Sequence, residues 1–138
     1  VHTKQKALIL CTGNSCRSQL AEGIARHLFS DQFDVFSAGT HPSSVHPLAI
    51  YAMQEIGIDI SSHRSKSVNE FCDMPMDVVI TVCGHADQRC PWFPGRPKRV
   101  HWAFDDPVKG EGGIDRFRQV RDAIMQKFKT EWMTTFYD

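Results

Sequence analysis

The chain has 138 residues, 41% of them hydrophobic, and its 16 Lys plus Arg balance 16 Asp plus Glu. That length supports one domain, 1–138, with a substantial core but no room for a second. Zero net charge without a basic run gives no reason to expect nucleic acid, and no apolar segment is long enough to suggest a membrane. The polar first six residues carry no secretory pattern, so a cytoplasmic protein is expected.

The first predicted element is a buried strand at Lys6–Leu10. Leu20, Ala21, Ile24, Ala25 and Leu28 then recur at helical spacing, which predicts a helix over Cys16–Phe29. Phe33–Ser37 reads as a second strand, ended by Gly39. Pro47 suits the first turn of a helix whose stripe is Leu48, Ala52 and Ile56 and whose stop is Gly57. The β-branched run Val78–Val82 predicts a third strand and Arg99–Trp102 a short fourth. Ile114, Phe117, Val120, Ile124 and Phe128 mark a long closing helix. Strands alternating with helices imply a parallel sheet with right-handed crossovers, whose ligands bind beyond the carboxyl ends of the strands. Cys11, Cys83 and Asp106 each follow a predicted strand, so this ordering brings them to one edge.

Between the first strand and its helix lies Cys11-Thr12-Gly13-Asn14-Ser15-Cys16-Arg17-Ser18. A strand-to-helix turn of this kind aims backbone N–H groups inward as a nest, and the helix N-terminus adds positive potential. The backbone of Thr12, Gly13, Asn14, Ser15, Cys16 and Arg17 is the expected oxyanion cradle. Arg17 supplies a planar two-pronged donor. The same field favours a thiolate at Cys11, to which the Ser18 hydroxyl can donate. A loop that only bound phosphate would not need a cysteine here. This one sets a nucleophile under a tetrahedral anion.

The octapeptide resembles the loop of low-molecular-weight protein tyrosine phosphatases. Ser37-Ala38-Gly39 after the second strand narrows the match. So do Thr81-Val82-Cys83, six residues, Cys90-Pro91, and then His101-Trp102-Ala103-Phe104-Asp105-Asp106-Pro107. In that order these look like the thioredoxin-coupled arsenate reductases that share the phosphatase fold, with a resemblance that runs to about Thr130. It implies an α/β fold with a four-stranded parallel sheet flanked by helices. It implies Cys11 as nucleophile, Arg17 as anion clamp, Asp106 as general acid, and Cys83 and Cys90 as a redox relay. It further implies arsenate as substrate, phosphate or sulfate as competing oxyanions, reduced thioredoxin as electron donor, no bound cofactor, and a monomer. Some members hold a potassium ion beside the loop, and Asn14, Glu22 and Ser37 match positions that hold it. Arg64 and Lys66 stand where those members are polar or acidic. A lysine ammonium fits the space of the cation, so no metal is expected.

Reducing arsenate takes two electrons, which two thiols supply by forming a disulfide; a third thiol moves that disulfide away from a buried site. Seven residues separate Cys83 from Cys90, nearly two helical turns and roughly 10 Å of rise. A disulfide needs Cα atoms within about 7 Å. A helix there must therefore unwind on oxidation. Zinc held by Cys83, His85 and Cys90 is a rival reading, although the spacing matches no common structural pattern. Cys16 and Cys72 carry no assigned step. The alternative function is a phosphatase using Cys11, Arg17 and Asp106. Val108-Lys109 follow Asp106-Pro107 where such phosphatases often have adjacent tyrosines.

Overall fold

The computed structural model describes residues 4–83 and 93–136. Its centre is β1 (Gln5–Cys11), whose residues Ala7–Leu10 are wholly inaccessible. β2 (Phe33–Gly39) pairs with it on one side and β3 (Val78–Thr81) on the other, and β4 (Lys98–His101) completes the sheet. All pairings are parallel, in the order β2-β1-β3-β4. This is the low-molecular-weight phosphotyrosine phosphatase-like α/β sheet the sequence implies. β1 and β3 read as continuous apolar runs because both faces are covered. β4 lies at an edge and exposes Lys98 and Arg99, charges that discourage further pairing.

The register aligns the strand ends. Leu10 stands opposite Ala38 and Thr81, and Thr81 opposite His101. The segments that follow β1, β3 and β4 therefore leave the sheet at one edge.

Helix α1 (Arg17–Phe29) starts one residue later than its apolar spacing suggests. Cys16 occupies the N-cap without a side-chain capping bond, which leaves the first N–H groups to the loop. Arg26 and His27 complement the dipole at its other end. α2 (Pro47–Gln54) opens with Pro47, and His46 Nδ1 accepts from the Leu48 N–H at 3.1 Å. It ends before Ile56. Ala49, Ala52 and Met53 form its buried face, and Ile56 is exposed rather than part of the stripe. A 3₁₀ turn (Val68–Phe71) precedes β3. The closing helix α3 (Gly113–Phe136) packs against α1 and α2. It passes Thr130 without a break, because Trp132 and Phe136 are core residues. Trp132 stacks on Phe29 at 4.9 Å between ring centroids and meets Phe33 and Phe128 edge-on. Residues 131–136 are thus part of the fold. Among the described residues, no helix is long and apolar enough to cross a membrane.

Candidate active site

The loop from Cys11 to Arg17 is held from outside by its carbonyls. Cys11 and Thr12 carbonyls accept from Thr40 and His41 N–H at 3.3 and 2.8 Å. The Gly13 carbonyl accepts from Ser43 N–H at 3.1 Å and Ser65 Oγ at 2.8 Å. Asn14 and Ser15 carbonyls accept from Gln19 Nε2 and His46 N–H, each at 3.1 Å. In a planar trans peptide the N–H points opposite to the carbonyl. Five consecutive outward carbonyls therefore turn the N–H groups of Thr12, Gly13, Asn14, Ser15 and Cys16 inward, as an anion nest. Gly39 lets this wrapping come close. A Cβ there would lie 2.5 Å from the Thr12 carbonyl oxygen and 2.9 Å from Asn14 N.

The nest opens into a cleft of about 300 Å³ lined by Cys11, Thr12, Gly13, Ser15, Cys16, Arg17, Asp106 and Val108. Arg17 leans across it from the first turn of α1. One guanidinium nitrogen donates to the Phe104 carbonyl at 3.1 Å, and the other lies 3.9 Å from Asp106 Oδ2. Asp106 Oδ1 accepts from Val108 N–H at 3.0 Å, which fixes the carboxylate in its turn. The loop after β4 thus brings an acid to the anion pocket and braces the arginine with the same segment.

Cys83 lies two residues beyond β3, beside Cys11, with its Sγ 3.4 Å from Thr12 Oγ1. Cys83 is the largest influence on Cys11 and pushes its thiol well above the ordinary value; burial pushes the same way. Arg17 and the Thr12 N–H pull it down. The expectation of a simple thiolate at Cys11 needs correcting on this point. Cys83 and burial thus hold Cys11 towards its protonated form, against the pull of Arg17 and the Thr12 N–H. Burial also raises the Cys16 thiol. Cys72 is exposed, with Sγ donating to the Asn69 carbonyl at 3.2 Å, remote from the cleft lining.

Ser18 is fully buried and accepts from Asn14 Nδ2 at 2.8 Å, which leaves its own hydroxyl proton to donate. Asn14 offers an anion its backbone only. Its side chain is turned into the scaffold, donating to Ser18 and Ser37 and accepting from Gln19 Nε2 and the Lys66 N–H. The backbone at Asn14 is left-handed, at φ 46°, a conformation asparagine tolerates better than most residues. Gln19 escaped the sequence reading. It ties Asn14, Arg64 and His63 together from a fully buried position. Only its polarity beside the apolar stripe of α1 hints at this role. Cys90 and His85 lie outside the described residues, so the second relay thiol, the rival zinc set and the unwinding of the segment between the cysteines all fall there.

A model of the low molecular weight phosphotyrosine protein phosphatase family matches residues 6–136. An arsenate reductase of Halalkalibacterium halodurans is 47% identical over 131 residues, covering 92% of this chain and 94% of that protein. The solved structure of an arsenate reductase in the phosphate binding state is similar with a TM-score of 0.78 and 33% identity, covering 96% of this chain and 98% of the other. A thioredoxin-dependent arsenate reductase from Corynebacterium glutamicum gives a TM-score of 0.68 at 27% identity, covering 98% of this chain and 65% of that one.

Proposed function

The chain belongs to the low molecular weight phosphotyrosine protein phosphatase family, and we propose that within it the protein reduces arsenate to arsenite by a thiol–disulfide relay recharged by thioredoxin. One observation carries the reading: a second buried free thiol, Cys83, is near enough to the thiol under the anion nest to be the largest influence on its acidity. Ester hydrolysis has no use for it.

Arsenate sits on the inward N–H groups, with two oxygens on Arg17. Cys11 attacks as the thiolate, the form that Arg17 and the Thr12 N–H favour. A sulfur–arsenic bond forms. One oxygen leaves as water after protonation, with Asp106 the acid that lines the cleft. Cys83 then attacks the Cys11 sulfur. The sulfur–arsenic bond breaks, its electron pair stays on arsenic, and arsenite departs from a Cys11–Cys83 disulfide. Arsenic gains two electrons and two thiols lose them. Cys90 attacks Cys83 in turn and releases Cys11 as thiolate. The Cys83–Cys90 disulfide passes to a dithiol reductant. The names of the two arsenate reductases above support the substrate, and that of the Corynebacterium glutamicum protein supports thioredoxin.

The test is arsenate-dependent NADPH oxidation with thioredoxin and thioredoxin reductase, run beside glutaredoxin with glutathione. Turnover with thioredoxin is expected. Hydrolysis of an aryl phosphate with no arsenate-dependent oxidation by either system would return the protein to the phosphatases.

A further inference from the structure

Behind the nest, Glu22 is a carboxylate only 3% exposed. A buried charge of this kind needs a fixed partner. Arg26 reaches Oε2 at 3.2 Å, but it is half exposed and also donates to the Val35 carbonyl. His63 Nδ1 lies 3.6 Å from Oε2, yet burial pushes its imidazole below the usual value, so it brings little charge at neutral pH. Oε1 is held by the Ser37 hydroxyl and by Lys66 Nζ at 3.6 Å, on a side chain 12% exposed. Lys66 also touches the loop directly, because its backbone N–H donates to Asn14 Oδ1 at 2.8 Å. Ser37 Oγ receives Asn14 Nδ2 at 2.9 Å. One end of the Asn14 amide thus runs back through Ser37 to the ammonium–carboxylate pair, and the other rests on the backbone of the same lysine.

We propose that Lys66 is a built-in monovalent cation for the anion loop: a positioning residue whose ammonium fixes Glu22, and through Ser37 and Asn14 the nest, so that no soluble alkali ion is needed. Potassium, which some relatives hold beside this loop, does not fit the residues present. Asn14 Oδ1 already accepts from Gln19 and the Lys66 N–H, and Glu22 Oε1 from Ser37, while the Lys66 ammonium, donating to the Arg64 carbonyl at 3.0 Å, stands 3.6 Å from that same oxygen. A metal ion placed among them would face the ammonium at close range.

The proposal concerns how the loop binds a tetrahedral oxyanion, and it stands whether that anion is afterwards reduced or hydrolysed. The experiment therefore reads binding: protection of Cys11 from iodoacetamide by inorganic phosphate, with thermal midpoints, in potassium, sodium and choline chloride at matched ionic strength. The native protein should behave alike in all three salts. Lys66→Ala should bind phosphate roughly tenfold more weakly in choline, about 1.4 kcal/mol, with potassium restoring much of the loss in the vacated space. Lys66→Met keeps the bulk without the charge, so it should lose binding with no rescue by potassium, and it carries the test where the alanine variant does not fold. Lys66→Arg should retain most binding in choline. A midpoint or protection in the native protein that rises specifically with potassium would overturn the proposal. So would native-like phosphate binding by Lys66→Met in choline.

Discussion

Cys83 neighbours Cys11 and outweighs every other influence on its acidity, including burial and the nearby Arg17. The register produces this: β1 and β3 end side by side, with Leu10 opposite Thr81, so the end of one strand and the segment after the other meet. The two thiols that the proposed relay uses are thereby placed together.

Replacing Cys83 with serine should make Cys11 more acidic. A serine hydroxyl does not ionise, so it adds no second negative charge, and it can still donate a bond to the thiolate. Arg17 and the Thr12 N–H would then act without that opposition. Carbamidomethylation of the Cys11 peptide, followed by mass spectrometry across pH, should show its inflection moving down by about one unit or more. The sign is firm: the fraction of thiolate at neutral pH rises in the variant. An inflection that stays put or climbs would mean that Cys83 does not oppose the ionisation of Cys11.

The relay predicts a split between two activities. Cys11→Ser should abolish arsenate reduction and any aryl phosphate hydrolysis together. Cys83→Ser and Cys90→Ser should stop thioredoxin-coupled cycling and leave hydrolysis largely intact, since neither thiol is needed to form or break a phosphoryl–sulfur bond. Cys72→Ser should change neither. Full coupled turnover by Cys90→Ser would remove the third thiol from the scheme.

Gly39 allows β2 to end against the loop. In Gly39→Ala the added methyl meets backbone on two sides, the Thr12 carbonyl and Asn14 N, and backbone cannot rotate away. Overpacking of this sort costs about 1–3 kcal/mol. Because the strain falls on the nest, phosphate protection of Cys11 should weaken by more than the loss of urea stability alone explains. Equal phosphate affinity in the two proteins would show that the loop absorbs the methyl elsewhere.

Much of this was legible in the residues, for identifiable reasons. Strand and helix alternation predicts the parallel sheet, and the strand-end rule predicts that Cys11, Cys83 and Asp106 leave it at one edge. The pull of Cys83 on Cys11 was not legible, because it depends on which residues face each other across β1 and β3. Nor was the loop scaffold. Gln19 and Lys66 lie 47 positions apart in the sequence and converge on Asn14 Oδ1 only once the 64–67 segment folds over α1. Ile56 was misassigned for a local reason: α2 stops at Gln54, so helical periodicity no longer governs that residue.

The closing helix offers a test of where the fold ends. The resemblance read from the sequence motifs runs to about Thr130, whereas the family model matches through residue 136. The packing agrees with the longer span. Trp132 is completely buried, with Phe29 stacked at 4.9 Å and Phe33, Phe128 and Phe136 edge-on at 5.3, 4.9 and 5.1 Å. It joins α1, β2 and α3 in one aromatic cluster. Trp132→Ala should therefore cost about 3–5 kcal/mol, a fifth or more of the roughly 5–15 kcal/mol that a domain usually has. Trp132→Phe keeps a ring in the same place and should cost well under half of that. Urea denaturation followed by far-ultraviolet circular dichroism measures both. A chain stopped after Thr130 loses Trp132 and Phe136 together and should be largely unfolded at room temperature. If that truncation melts with the midpoint of the full chain, the cluster contributes nothing to stability and α3 ends, energetically, where the motifs do.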